Sequence, residues 1–207
     1  GLEKLKEWIG RRESGVDYVT IPLAERHAAT LDLESFPAEG EPLPVGWHAA
    51  LFPRVVRQSQ VGPDGHPRRG DFLPPVPLPR RMFAGRRVTF QADLLVGDRV
   101  TKQSEIANVT IKEGRTGKMV FVTVRHDISS PRGLAIVEEQ DIVYRDEPDP
   151  SAPKSAPQPA PRTATWARPF TPEPVVLFRY SAITFNGHRI HYDHPYVTEV
   201  EGYEGLV

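Results

Sequence analysis

Four segments decide the fold: RRVTFQADLLV at residues 86–96, RVTKQSEIANVTI at 99–111, KMVFVTVRHDIS at 118–129 and LAIVEEQDIVY at 134–144. All are rich in Val, Ile, Thr or aromatics, with stretches of the apolar–polar alternation that marks a half-buried strand. Gly97-Asp98, Gly114-Arg115-Thr116-Gly117 and Pro131-Arg132-Gly133 punctuate them, and connections this short make antiparallel neighbours. One curled antiparallel sheet is predicted over residues 86–145, with an apolar face that has to be buried. The cover lies upstream. LEKLKEWIGRR places Leu2, Leu5, Trp8 and Ile9 on one helical stripe, and Pro22 to Leu31 reads as a second short helix opened by its proline. Helices packed into a curved sheet give an α+β fold.

Twenty-two prolines in 207 residues are about twice the usual share, and their clustering sets the boundaries. Pro148 to Pro161, in DEPDPSAPKSAPQPAP, has no apolar periodicity and reads as an extended linker. Pro63 to Pro79 mixes proline with glycine, arginine and Phe72, which gives that loop reasons to dock on the body. The expected organisation is therefore an N-terminal domain at 1–145, a Pro/Ala-rich linker at 146–169, and the start of a second domain at 170–207. Other classes are excluded by composition. A net charge of −1 argues against general nucleic-acid binding, which needs a basic surplus. No apolar run reaches the ~18 residues of a membrane span, and the charged N-terminus does not read as a signal peptide. The absence of cysteine removes disulfides and thiolate chemistry and fits a reducing compartment, so a cytoplasmic location is expected, or the mitochondrial matrix in a eukaryote.

Chemistry concentrates in RYSAITFNGHRIHYDHPY, residues 179–196, which holds Asn186, His188, His191, Asp193 and His194 within nine positions. His191 can take a proton from water or return one near neutral pH, since an imidazole has an ordinary pKa of about 6.5. Asn186, five residues upstream, has no titratable proton and can only orient a water, hydroxyl or carbonyl. A site with one base and one orienting amide suits the addition of water across a polarised double bond, or its removal. Two other readings stand beside this one. His188, His191, Asp193 and His194 have residue types found at zinc sites, but nothing completes a four-ligand shell, so no metal is expected. Arg189 and Asp193 either pair with each other or leave Arg189 free for a substrate carboxylate, and Tyr192 is a further candidate for substrate contact.

The stretch SAITFNGHRIHYDHPY resembles the signature of MaoC-like (R)-specific enoyl-CoA hydratases and dehydratases of the hotdog fold. In that family an Asp and a His five residues apart activate water. His191 falls on the histidine, and Asn186 stands where most members carry aspartate. Asn there, followed by HRIHYD, is similar to a branch containing 3-methylfumaryl-CoA (mesaconyl-CoA) hydratases, itaconyl-CoA hydratases and mitochondrial type 2 3-hydroxyacyl-thioester dehydratases. GPDGHPRRGDFLPPVPLPRRMFAGRRVTF and the strands after it resemble the non-catalytic N-terminal half of the same proteins.

The resemblance implies a double-hotdog protein whose second half is incomplete here. It implies a hydro-lyase acting on a coenzyme A or acyl-carrier-protein thioester, with His191 as base, Asn186 as orienter, and no cofactor beyond the coenzyme A of the substrate. It also places the glycine whose N–H polarises the thioester oxygen beyond Val207. Losing such a donor costs about 3 kcal/mol of transition-state stabilisation, so the chain alone is expected to be nearly inactive. Arg80 and Arg81, in a run with Arg68, Arg69, Arg86 and Arg87, are candidates for the coenzyme A phosphates. A hotdog thioesterase, or a non-catalytic half that binds acyl-CoA and assembles with another chain, are the alternatives. Homo-oligomerisation is expected to cover an exposed sheet edge.

Overall fold

The computed structural model describes residues 1–70, 72–114, 117–147, 159 and 163–207. Its body is one antiparallel sheet of β1 (Arg12–Tyr18), β2 (Arg80–Phe90), β3 (Arg99–Gly114), β4 (Gly117–Ser130) and β5 (Gly133–Arg145), in spatial order β1-β3-β4-β5-β2. Helix α1 (Ile21–Thr30) follows β1, and α2 (Pro174–Ile183) opens the C-terminal segment.

Alternation explains the buried face. Val120, Val122, Val124 and Ile128 of β4 all point inward and are almost fully buried, as period-2 geometry requires. Strand β3 keeps its apolar residues on the same face through a bulge at Ala107: Ile106 pairs with Val124, yet Asn108 pairs with Thr123. That extra residue returns Val109 to the interior. Two apolar clusters form on this face. At one end α1, capped by Thr20 Oγ1 accepting the Leu23 N–H at 3.3 Å, packs Ala24 and Ala28 with Trp47, Leu94 and Val96 against Val100, Ile128 and Ile136. At the other end Leu5, Val76 and Leu78 cover Ile106, Val109, Val120, Val122, Val124 and Tyr144. The proline-rich loop docks there. Arg69 donates from Nη1 to the Val76 carbonyl at 2.7 Å and from Nη2 to those of Leu78 at 2.7 Å and Pro79 at 2.8 Å.

Four features differ from the sequence expectation. Residues 2–8 form a short 3-10 turn rather than an amphipathic helix, because Gly10 (φ +87°) breaks the chain direction and residues 12–18 become an edge strand on β3. The first long strand runs over 80–90 rather than 86–96, since residues 80–90 find partners along β5 while Leu94 and Val96 fill the core from a loop. Gly97-Asp98 makes no hairpin. It instead extends the β1 edge, with the Gly97 N–H donating to the Val19 carbonyl at 2.6 Å and the Val19 N–H to the Asp98 carbonyl at 2.9 Å, so β2 lies at the far edge beside β5. The apolar run after the linker, to which the sequence pattern assigns no element, is helix α2, with proline in its first turn. Of the expected linker, residues 148–158 and 160–162 lie outside the described residues.

Candidate active site

Helix α2 delivers the motif. Its last turn closes with the Asn186 N–H donating to the Ser181 carbonyl at 2.8 Å and Phe185 in the left-handed region at φ +51°, a C-terminal geometry that turns the chain sharply out of the helix. Asn186 Oδ1 then accepts the His188 N–H at 3.1 Å. That bond uses one of the two lone pairs on the amide oxygen, so the NH₂ group and the second lone pair are left to meet another molecule. Arg189 to His191 form a 3-10 turn. Asp193 fixes the exit: its Oδ1 accepts the Tyr196 N–H at 3.1 Å and its Oδ2 takes Arg189 Nε at 2.9 Å.

The tautomer of His191 follows from its partner. Nδ1 lies 2.5 Å from the Val207 carbonyl oxygen, and an oxygen that can only accept makes Nδ1 the donor. Nε2 then carries the lone pair, which is the arrangement a general base needs.

A second segment closes over this turn. The loop GPDGHP, residues 62–67, receives the Arg189 N–H on the Asp64 carbonyl at 2.9 Å and Arg189 Nη1 on the Pro63 carbonyl at 3.0 Å. Gly65 and Gly187 meet backbone to backbone. A Cβ on Gly65 would lie 1.9 Å from the Gly187 oxygen, and one on Gly187 would lie 2.8 Å from the Gly65 oxygen. Both positions therefore need the close approach that only glycine allows.

Docking lines up four side chains. His66 Nδ1 lies 3.1 Å from Asp64 Oδ2, the rings of His66 and His188 are 3.9 Å apart, and His188 meets His191 edge to face at 5.6 Å. Burial, reinforced by the charges that His66 and His191 can carry, pushes the His188 pKa down to about 4. Burial also lowers that of His66, against the pull of Asp64. Burial alone would raise the Asp64 pKa, but hydrogen bonds from the His66 N–H and ring outweigh it and hold the carboxyl below its usual range. At neutral pH the row therefore holds two neutral imidazoles ending in a carboxylate. Donor atoms of Asp64, His66 and His188 lie within 4.8 Å of one another, so they are the set that could approach a cation. That is a different grouping from His188, His191, Asp193 and His194, and three ligands leave a tetrahedral shell one short.

The other expected site residues are distributed as follows. Arg189 is bound on three sides, by Asp193, by the Pro63 carbonyl and by the Tyr196 ring 4.2 Å beneath its guanidinium. Tyr192 donates its hydroxyl to the Gly187 carbonyl at 3.0 Å. Arg80 reaches Glu201 at 3.1 Å. Arg81 lies opposite Tyr144 on the inner face, where its charge reaches His66 and His188. Arg86 pairs with Glu138, and Arg87 with Glu139 and Asp141, so the arginine run is split between partners rather than forming one patch. Sequence reasoning missed Asp64 and His66. The signal available was a glycine in each of GPDGHP and NGHRIH, spaced so that two turns can touch.

The chain is similar to known proteins in both sequence and fold. The chain is 48% identical over 204 residues to the mesaconyl-C(4)-CoA hydratase of Chloroflexus aurantiacus, a match covering 97% of the chain and 72% of that protein. It is 36% identical over 87 residues to the mitochondrial hydroxyacyl-thioester dehydratase type 2 of Schizosaccharomyces pombe, covering 42% of the chain and 28% of that protein. A solved structure described as a MaoC-like dehydratase superposes with a TM-score of 0.63 at 12% identity, over 98% of the chain and 74% of its own, which makes the curved sheet a hotdog fold. The profile of hydroxyacyl-thioester dehydratase type 2 matches residues 46–207, and the chain belongs to that family.

Proposed function

We propose that the protein is a hydro-lyase that reversibly hydrates an enoyl thioester, or dehydrates a 3-hydroxyacyl thioester, with His191 Nε2 as the proton-handling atom. The observation that supports this reading is the row Asp64, His66, His188 and His191, which gathers a carboxylate and three imidazoles at the turn that carries Asn186. The amide NH₂ of Asn186 holds the attacking water by its oxygen. Nε2 takes one proton from that water as the new C–O bond forms at the β-carbon, and the electron pair of the double bond moves to the thioester as an enolate. The imidazolium then returns its proton to the α-carbon, so H and OH have been added and the ring is neutral again. Dehydration runs the same steps backwards.

Asp64 acts on the nearer imidazoles of the row, His66 and His188, so a carboxylate from the N-terminal part stands near the turn in which Asn186 replaces the acidic residue of the resemblance. In this reading residues 1–145 form the non-catalytic half, 146–169 the connection, and 170–207 the start of the catalytic half. Substrates in the class of 3-methylfumaryl-CoA fit the family, with coenzyme A or an acyl-carrier protein as the thiol. Arg81, with Arg80, is the candidate for a substrate anion. Among the described residues no helix is long and apolar enough to cross a membrane.

The test is to incubate the natural protein with crotonyl- and mesaconyl-type thioesters and follow enoyl absorbance together with free thiol. Loss of absorbance without thiol release is expected. Thiol release would assign a thioesterase instead, and no change in either would leave a non-catalytic acyl-CoA-binding half.

A further inference from the structure

Between the two apolar clusters the inner face of the sheet holds a second polar group. Lys102, His126 and Gln140 run diagonally across β3, β4 and β5 on that face, with Arg86 of β2 opposite Gln140, and they line a cavity of about 180 Å³ whose apolar wall includes Phe52 and Ile128. One water needs only roughly 10–15 Å³ of such space, so the cavity exceeds a structural-water site by an order of magnitude. Its charges are unevenly matched. Glu138 is the single carboxylate in the lining and is already engaged on both oxygens, with His48 Nε2 at 2.9 Å and Arg86 Nε at 3.0 Å.

Lys102 has no such partner. Among the described residues no carboxylate lies within salt-bridge distance of its ammonium, which sits 4.9 Å from the Phe52 ring centre. Glu13, Glu138 and Asp17 act on it only at longer range, and the Asp17 carboxylate is turned to the Phe52 N–H at 2.6 Å. Burial depresses the lysine pKa, the mark of a cation short of solvent and counter-ion. His126, pushed down to about 4 chiefly by burial and then by Lys102, is neutral at physiological pH and adds no charge. The cavity thus presents one unmatched ammonium, the outer guanidinium nitrogens of Arg86, and an apolar wall.

We propose that this cavity binds a small aliphatic carboxylate, with its oxygens on Lys102 and Arg86 and its carbon skeleton against Phe52 and Ile128. Charge-assisted bonds from ammonium and guanidinium select the anion, and the apolar wall selects a short carbon chain over an inorganic ion. The carboxylate is either a free acid or the far end of a dicarboxylic acyl thioester, and only the second source rests on the hydratase reading.

Calorimetric titration with butyrate, and with butyramide as the uncharged isostere, tests the pocket directly. Saturable butyrate binding is expected, at least tenfold tighter than butyramide, weakened at least tenfold by Lys102→Met and restored by Lys102→Arg. Ala49, at the exposed mouth, supplies an independent variant: Ala49→Leu should block entry without altering any charge. Equal binding of butyramide, undiminished binding in Lys102→Met or in Ala49→Leu, or no binding at all (a cavity holding water only) would overturn the proposal. The source is read from KM. A rise in Lys102→Met confined to thioesters with a distal carboxylate identifies the acyl chain, whereas loss of butyrate binding with no such selectivity identifies a free acid. Calorimetry stands even where hydration is absent, so the two readings fail separately.

Discussion

Replacing Gly65 with alanine should undock GPDGHP from the turn at residues 186–193 without unfolding the sheet. The added Cβ would lie 1.9 Å from the Gly187 oxygen, 2.8 Å from its carbonyl carbon and 3.2 Å from the Arg189 nitrogen, all backbone atoms, at φ +87°. The left-handed conformation alone costs an alanine about 1–2 kcal/mol. Backing the loop away to relieve the contact stretches the two hydrogen bonds from Arg189 to Asp64 and Pro63, worth about 1 kcal/mol each. Together the docked state loses about 3–4 kcal/mol, enough to shift a loop equilibrium more than a hundredfold. Gly10→Ala is the matched control, since Gly10 has the same φ of +87° with nothing within 4 Å of a Cβ. Histidine-resolved NMR titration reads the outcome. His188 is held near 4 mainly by burial, so its pKa should climb toward 6.5 in Gly65→Ala and stay near 4 in Gly10→Ala. An unmoved His188 in Gly65→Ala, with an unchanged hydration rate, would refute the docking argument.

Further outcomes follow from the same geometry. Glu138→Ala strips the partner from His48 and Arg86 inside the fold, and should cost about 3–5 kcal/mol in chemical denaturation. His126 and His188 have folded pKa values near 4, below the ordinary 6.5, so the unfolded chain binds more protons between those limits. Their contribution to stability is complete above about pH 6.5 and lost as pH falls toward 4; His126→Gln should flatten that slope in thermal melts from pH 7 to pH 4. Reversing the charge of Arg80 and Arg81 together should raise KM for a coenzyme A thioester severalfold with kcat nearly constant, whereas an unchanged KM would remove them from the substrate site. Asn186→Asp should add a second titration to the pH profile of kcat/KM, and a single-histidine profile in that variant would argue against Asn186 lining the site.

The sheet was legible where one face alternates, in β3, β4 and β5. Strand β1 was not, because RESGVDY is mostly exposed and carries Gly15 in mid-strand; only pairing with β3 makes it a strand. The start of β2 was hidden by Arg80, Arg81 and a bulge between Phe83 and Gly85, while Leu94 and Val96 read as strand although they are core residues on a loop. At the site, the turn from Asn186 to Asp193 is built by local hydrogen bonds, so its residues stood out together in sequence. Asp64 and His66 join them across more than 120 positions through a contact between two glycine turns. A single sequence does not carry that kind of relation.

The most direct measurement is kcat/KM for hydration of an enoyl thioester by His191→Gln, whose amide can still donate toward Val207 but cannot act as a base. With Nε2 of His191 as the sole proton handler, the rate should fall by about 10³ while thermal stability is kept. A rate within tenfold of the parent would place the base elsewhere.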